Sequence, residues 1–170
     1  MILLKHTDKN LNQVSENFNF KEPPFDPIEF SQELVKFMYD NNGICLAAPQ
    51  VGIPLRIFAM RGSPQNFVVF NPKVIMPSKD EVRLEETSMT YPGLIIPVKR
   101  PKSIAIKYQD YTGEFKETRV DGLTARIIQQ AVDRLNGIDF KTKVSKLVLQ
   151  RANTSLDKKV KKQSCISRLA

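Results

Sequence analysis

Two stretches decide the reading of this chain: GICLAAPQ at residues 43–50 and IIQQAVDRLNG at residues 127–137. The second belongs to a run in which Leu123, Ile127, Ile128, Ala131, Val132 and Leu135 are apolar over more than one helical face. That pattern predicts a buried central helix over about 123–135. The first follows an Asn41-Asn42-Gly43 stop, where an earlier helix should end. That helix should begin at Asp26, a capping side chain, with Pro27 in the first position. It is expected to lay Ile28, Leu34, Val35, Phe37 and Met38 on a core, and residues 11–27 before it read as a polar, Pro-rich loop.

Between the two stretches the pattern is short and β-rich: LRIFAM at 55–60, NFVVF at 66–70, KVIM at 73–76, EVRLEE at 81–86, GLIIPV at 93–98, SIAIKY at 103–108 and EFKETRV at 114–120. Each run is broken by Pro, Gly or polar residues, as strands are. The last two flank residues 110–113 and predict a hairpin. The expected fold class is α+β, with mixed or antiparallel sheets packed around a central buried helix.

With 170 residues, 41% hydrophobic and 26% charged, the chain suits one soluble globular domain rather than a disordered or collagenous one. No apolar run reaches the roughly 20 residues of a spanning helix, and residues 1–10 are too polar for a signal-peptide core. An intracellular location is expected, with no membrane partner. Two cysteines, Cys45 and Cys165, do not form a disulfide framework and are read as free thiols. The net charge of +8 is local: residues 141–170 hold nine Lys or Arg against Asp157 alone, leaving residues 1–140 neutral. We therefore divide the chain into a domain at 1–140 and a basic C-terminal extension at 141–170. Electrostatics gives that extension an acidic partner, other protein subunits first and RNA second. A segment this polar should be ordered only when something holds it.

Three segments, in order, resemble the three motifs of peptide deformylases, metal-dependent enzymes that remove formyl groups from new bacterial proteins. The family pattern GxGxAAxQ is similar to residues 43–50, ending in Gln50, with Cys45 at the second Gly. The pattern EGCLS is similar to Glu86, Thr87, Ser88, Met89 and Thr90, and HExxH to Gln130, Ala131, Val132, Asp133 and Arg134. The resemblance spans most of residues 1–140 and implies a deformylase-like fold. It also implies an ion pair between Glu86 and Arg100, with Gln50 and the Met89 amide at the positions that stabilise an oxyanion.

At the metal and proton-transfer positions this chain departs from that pattern. Ser88 replaces the Cys ligand, Gln130 and Arg134 replace the two His ligands, and Ala131 replaces the catalytic Glu. A hydroxyl, an amide and a guanidinium are not a thiolate and two imidazoles, and a methyl group cannot move a proton. His6, the only histidine, reads as a surface residue. Four expectations follow: no metal and no cofactor; Arg134 meeting an acid such as Glu86; a former metal site closed by side chains; and Gln50, Ser88, Met89, Gln130, Ala131 and Arg134 as degenerate positions with no catalytic role. The functional expectation is a non-catalytic structural subunit of a larger assembly, such as a phage virion assembled in a bacterial cytoplasm. The alternatives are a peptide- or ribosome-binding protein without activity, and an active deformylase.

Overall fold

The structure, a computed structural model, describes residues 1–166 and the side chains of residues 1–161. The Cys165 side chain, expected to be a free thiol, and the last residues of the basic extension lie outside that description.

Helix α1 (Pro27–Asp40) starts where one Asp26 carboxylate oxygen accepts from the N–H groups of Ile28 and Glu29, at 2.7 and 3.0 Å. Two otherwise unpartnered donors of the first turn are thereby satisfied. The helix buries Phe30, Leu34 and Met38 and ends as the Gly43 N–H donates to the Met38 carbonyl at 2.8 Å. Ile28, expected on the core face, is half exposed.

Five strands, β1 (Cys45–Ala47), β2 (Ile57–Met60), β3 (Phe67–Ile75), β6 (Ser103–Gln109) and β7 (Phe115–Asp121), form a sheet in the order β1-β2-β3-β6-β7. Every pairing is antiparallel. β4 (Glu81–Ser88) and β5 (Tyr91–Pro101) form a separate antiparallel pair. The runs NFVVF and KVIM prove to be one strand, β3. Asn71 takes φ +51° and the register shifts between Phe70 and Lys73, so a bulge absorbs what reads as a break in sequence. The Asn71 side chain holds both backbone groups of Phe18, accepting from its N–H at 2.7 Å and donating to its carbonyl at 2.9 Å.

Strand β2 is buried on both faces because the sheet is covered on both. Ile57 and Ala59 join a cluster with Leu34 and Met38 of α1, while Phe58 and Met60 join a second cluster with α2 (Gly122–Leu135). From α2, Ala125, Ile128, Ala131, Val132 and Leu135 pack on Phe58, Ile104 and Ile106, so the expected central helix is present. Each large apolar side chain buried this way contributes roughly 1.5–3 kcal/mol before entropy is subtracted.

Helix α3 (Lys146–Ile166) lies across β5, with Val148, Leu149, Ala152 and Leu156 packed near Tyr91, Leu94, Ile96 and Phe140. The sequence suggests that an outside partner orders this segment. Within it, positions 148, 149, 152 and 156 share one helical face, and that face packs on the domain. No helix of the described residues is long and apolar enough to cross a membrane.

Candidate functional site

The end of β1, the β4–β5 turn and the cleft-facing side of α2 enclose an open cavity of about 280 Å³. All six positions named from the sequence, Gln50, Ser88, Met89, Gln130, Ala131 and Arg134, line it. Helix geometry explains the α2 contribution, because residues 130 and 134 are one turn apart and share a face. Close approach explains Gly43. A Cβ there would lie 2.4 Å from the Met89 sulfur, so the side chain that walls the cleft occupies the space a larger residue would need.

Each polar group is tied to its neighbours. The Gln50 side-chain carbonyl accepts from the Ala47 N–H at 3.0 Å, and its amide donates to the Thr90 hydroxyl at 2.9 Å. The Ser88 hydroxyl accepts from the Thr90 N–H at 3.3 Å. Gln130 donates to the Thr87 carbonyl at 3.0 Å, which ties α2 to the end of β4. Ala131 is buried and belongs to the core as well as to the cleft wall.

Two sequence expectations are corrected here. Arg134 meets an acid as expected, but the acid is Asp139 rather than Glu86. The guanidinium donates to the Leu11 carbonyl at 3.3 Å and lies 3.7 Å from a carboxylate oxygen of Asp139. Glu86 is held near the other end of α2 by Arg126, eight residues or about 12 Å of helix away. Nor is the site closed by side chains. Ala131 adds little volume, and Arg134 is held at the cavity wall by Leu11 and Asp139, so the cavity stays open.

Glu86 is the centre of a buried network that sequence reading captures only in part. Arg100 donates to both its carboxylate oxygens at 2.6 and 2.9 Å, as the family resemblance implies. Arg126, not singled out in sequence, donates to the same carboxylate at 2.6 Å and to the carbonyls of Val82 at 2.5 Å and Val98 at 2.9 Å. Asp133 accepts from Arg100 at 2.6 Å and pairs with Lys143 at 3.0 Å. Burial works to lower the Arg100 pKa, but bonds and charge from Glu86 and Asp133 outweigh it and the pKa rises. The signal for Arg126 is a charge set among Leu123, Ala125, Ile127 and Ile128, which must find a partner if buried.

A second group lies under the cleft at the C-terminal end of α2. The Tyr91 hydroxyl donates to Asp139, Lys141 sits 4.1 Å above the Tyr91 ring, and exposed His6 packs 5.3 Å from it. Burial raises the Tyr91 pKa, and Asp139 raises it further. The Cys45 thiol, at the cleft wall, is pushed up to about 12 by burial, against a smaller opposing effect of the Leu46 N–H. It is therefore a protonated wall group rather than a thiolate.

A family model described as polypeptide deformylase matches residues 1–150, a span that contains every segment of this cleft. This chain belongs to the peptide deformylase family. It is 34% identical over 164 residues to the peptide deformylase of Afipia carboxidovorans, covering 91% of this chain and 92% of the relative. The Dictyoglomus thermophilum peptide deformylase is 38% identical over 150 residues, 88% of this chain and 86% of that one. The match to the Thermotoga neapolitana enzyme, at 35% identity, spans 63% of this chain and 65% of that relative. Among solved structures, the Synechococcus elongatus peptide deformylase in complex with actinonin superposes with a TM-score of 0.84 at 29% identity, covering 92% of this chain and 86% of that one. The Legionella pneumophila peptide deformylase gives 0.83 at 26% identity, with 96% of each chain covered.

These findings overturn the expectation of a non-catalytic structural subunit or virion component. The relatives that match most of this chain are named peptide deformylases, not structural proteins. The physical counterpart is the cleft: a building block needs no such cavity, yet this one remains open and lined by the family's three motifs.

One part of the deformylase pattern does not fit. At the positions of the family's metal ligands stand a hydroxyl, an amide and a guanidinium, none of which is a good donor to a divalent cation near neutral pH. Among the described residues no group of three or more His, Cys, Asp or Glu side chains is placed to hold a metal ion.

Proposed function

We propose that this chain removes the formyl group from N-formylated peptide termini, with the peptide held in the cleft between β1, the β4–β5 turn and α2. The observation that carries this reading is the coincidence of the family match over residues 1–150 with an open cleft at its three motifs. β1 pairs with β2 alone among the named strands, so its other edge can add an extended peptide by backbone hydrogen bonds. Ile44 and Leu123 line the cleft and are 57% and 63% exposed, an apolar pair suited to a methionine-like first side chain. Gln50 spends one amide N–H on Thr90 and has a second. With the Met89 amide, it is suited to the oxygen of the formyl carbonyl. A cytoplasmic location, where new chains are made, belongs to the same reading.

The test is release of formate from a formyl-methionyl tripeptide, followed together with the appearance of the free amine. Release above the uncatalysed rate, lowered at least tenfold in Gln50→Ala, is the expected result. No release, combined with no chemical-shift change of β1 amides on adding the peptide, overturns the reading.

A further inference from the structure

We infer that the polar centre of this cleft takes no divalent cation and is built around the fixed charge of Arg134, which offers a cationic hydrogen-bond donor to an oxygen of the bound molecule. This goes beyond the proposed function and does not depend on it.

The first argument is donor chemistry. The Ser88 hydroxyl keeps its proton near neutral pH, and the Gln130 amide nitrogen is already directed at the Thr87 carbonyl. Arg134 is a permanent cation with no lone pair to give. Cations at the ligand positions of a cation site oppose binding by Coulomb repulsion, which is strongest where water is excluded.

The second argument is that nearby carboxylates are already taken. Both oxygens of Glu86 are held by Arg100, and one of them also by Arg126. Asp133 is held by Arg100 and Lys143. Asp139 accepts from Tyr91 and from the Lys141 N–H, with Arg134 3.7 Å away. Turning any of these toward a metal would strand a buried arginine or phenol. Glu85, exposed at the cleft wall, is a single carboxylate and cannot make a site alone. His6 is exposed and packs on the Tyr91 ring.

The guanidinium fits the role given to it. Arg134 is 6% exposed and lines the cavity. It carries five N–H donors, yet among the described residues its one hydrogen bond is that to Leu11, at 3.3 Å. Donors remain for an acceptor in the cleft.

The experiment uses the full chain, dialysed and then equilibrated in turn with Fe²⁺, Ni²⁺ and Zn²⁺, with retained metal measured by elemental analysis and affinity by calorimetry. The expected result is less than about a tenth of an equivalent retained, and at least a hundredfold tighter binding in the Ser88→Cys/Gln130→His/Arg134→His variant, in line with the ligand sets such metals use. One equivalent retained by the unaltered chain and lost in Ser88→Ala overturns the inference. So does a folded triple variant that binds no better than the parent. If the triple variant does not fold, the parent's stoichiometry decides, with Arg134→His as the second comparison. Failure here is distinguishable from failure of the proposed function. Formate release abolished by a chelator, with metal bound, keeps the function and removes this inference; no formate release and no metal does the reverse.

Discussion

The guanidinium of Arg134 and the carboxylate of Asp139 face each other at 3.7 Å beneath the cleft, and the Tyr91 hydroxyl donates to the same carboxylate. Tyr91 is therefore tied to pH. Burial first, then the Asp139 bond and charge, raise its pKa above the ordinary value near 10, with Arg134 acting in the opposite direction. A raised acid keeps its proton in the fold after the unfolded chain has lost it. Its contribution to stability is complete below pH 10 and is lost as pH rises beyond that. Tyr91→Phe should lose less stability than the parent between pH 10 and pH 11, measured by urea unfolding at each pH. An equal loss in both would show that Tyr91 is not the group responsible.

Glu86 neutralises two buried arginines at once. Replacing it with Gln removes the charge that Arg100 and Arg126 share, leaving Arg100 with Asp133 as its charged partner and Arg126 with uncharged acceptors only, in a water-poor place. The cost should be about 3–5 kcal/mol, the range for breaking a buried ion pair from one side. Urea denaturation of Glu86→Gln measures it, and a loss below about 1 kcal/mol would mean that water reaches the network.

The thiol of Cys45, raised to about 12 from an ordinary value of 9.0, has roughly a thousandfold smaller thiolate fraction at pH 8. In a Cys165→Ser background, alkylation by iodoacetamide at pH 8 should be at least a hundredfold slower in the native protein than in urea. Rates within tenfold of each other would contradict the raised pKa of this thiol.

Gly43 and Met89 share one space. Gly43→Ala should cost about 1–3 kcal/mol through overpacking, and Met89→Ala in the same chain should recover most of it. A double-mutant cycle of thermal unfolding tests the pair. Additive losses would mean that the strain falls on the Met38 carbonyl, 3.2 Å from the added carbon, instead.

Helix α3 is fastened by an apolar face of four residues. Leu149→Ala should cost about 1–2 kcal/mol, less than a fully buried leucine because this one is half-buried. Amide exchange in α3 should accelerate while β2 and β3 stay protected. Equal acceleration throughout would show that α3 is cooperative with the whole domain.

Much of this was legible in the sequence because it is local. The Asp26-Pro27 helix start, the hairpin around residues 110–113 and the apolar stripe of α2 are each set within a few residues. What was not legible depends on pairing across the chain. The break between NFVVF and KVIM is a bulge because Asn71 binds Phe18, 53 residues away. Arg134 takes its place from Leu11 and Asp139, neither of which belongs to a motif. The lysines of the C-terminal segment obscured the spacing of Val148, Leu149, Ala152 and Leu156. For function, the four substitutions at Ser88, Gln130, Ala131 and Arg134 are visible in the sequence, whereas the cleft that surrounds them is not. Only the assembled walls show that the cavity persists.

The three apolar clusters also differ in when they can form. The chain is made from its N-terminus, and the clusters on the two faces of the five-stranded sheet draw on residues no later than Leu135. The third needs Phe140 and then Val148, Leu149, Ala152 and Leu156. A nascent chain can therefore fold its sheet, α1 and α2 while α3 has yet to emerge, and β5 waits with an uncovered apolar face. During that interval the newly made protein is most exposed to aggregation, and chaperone capture of stalled chains should peak just before residue 156 is released.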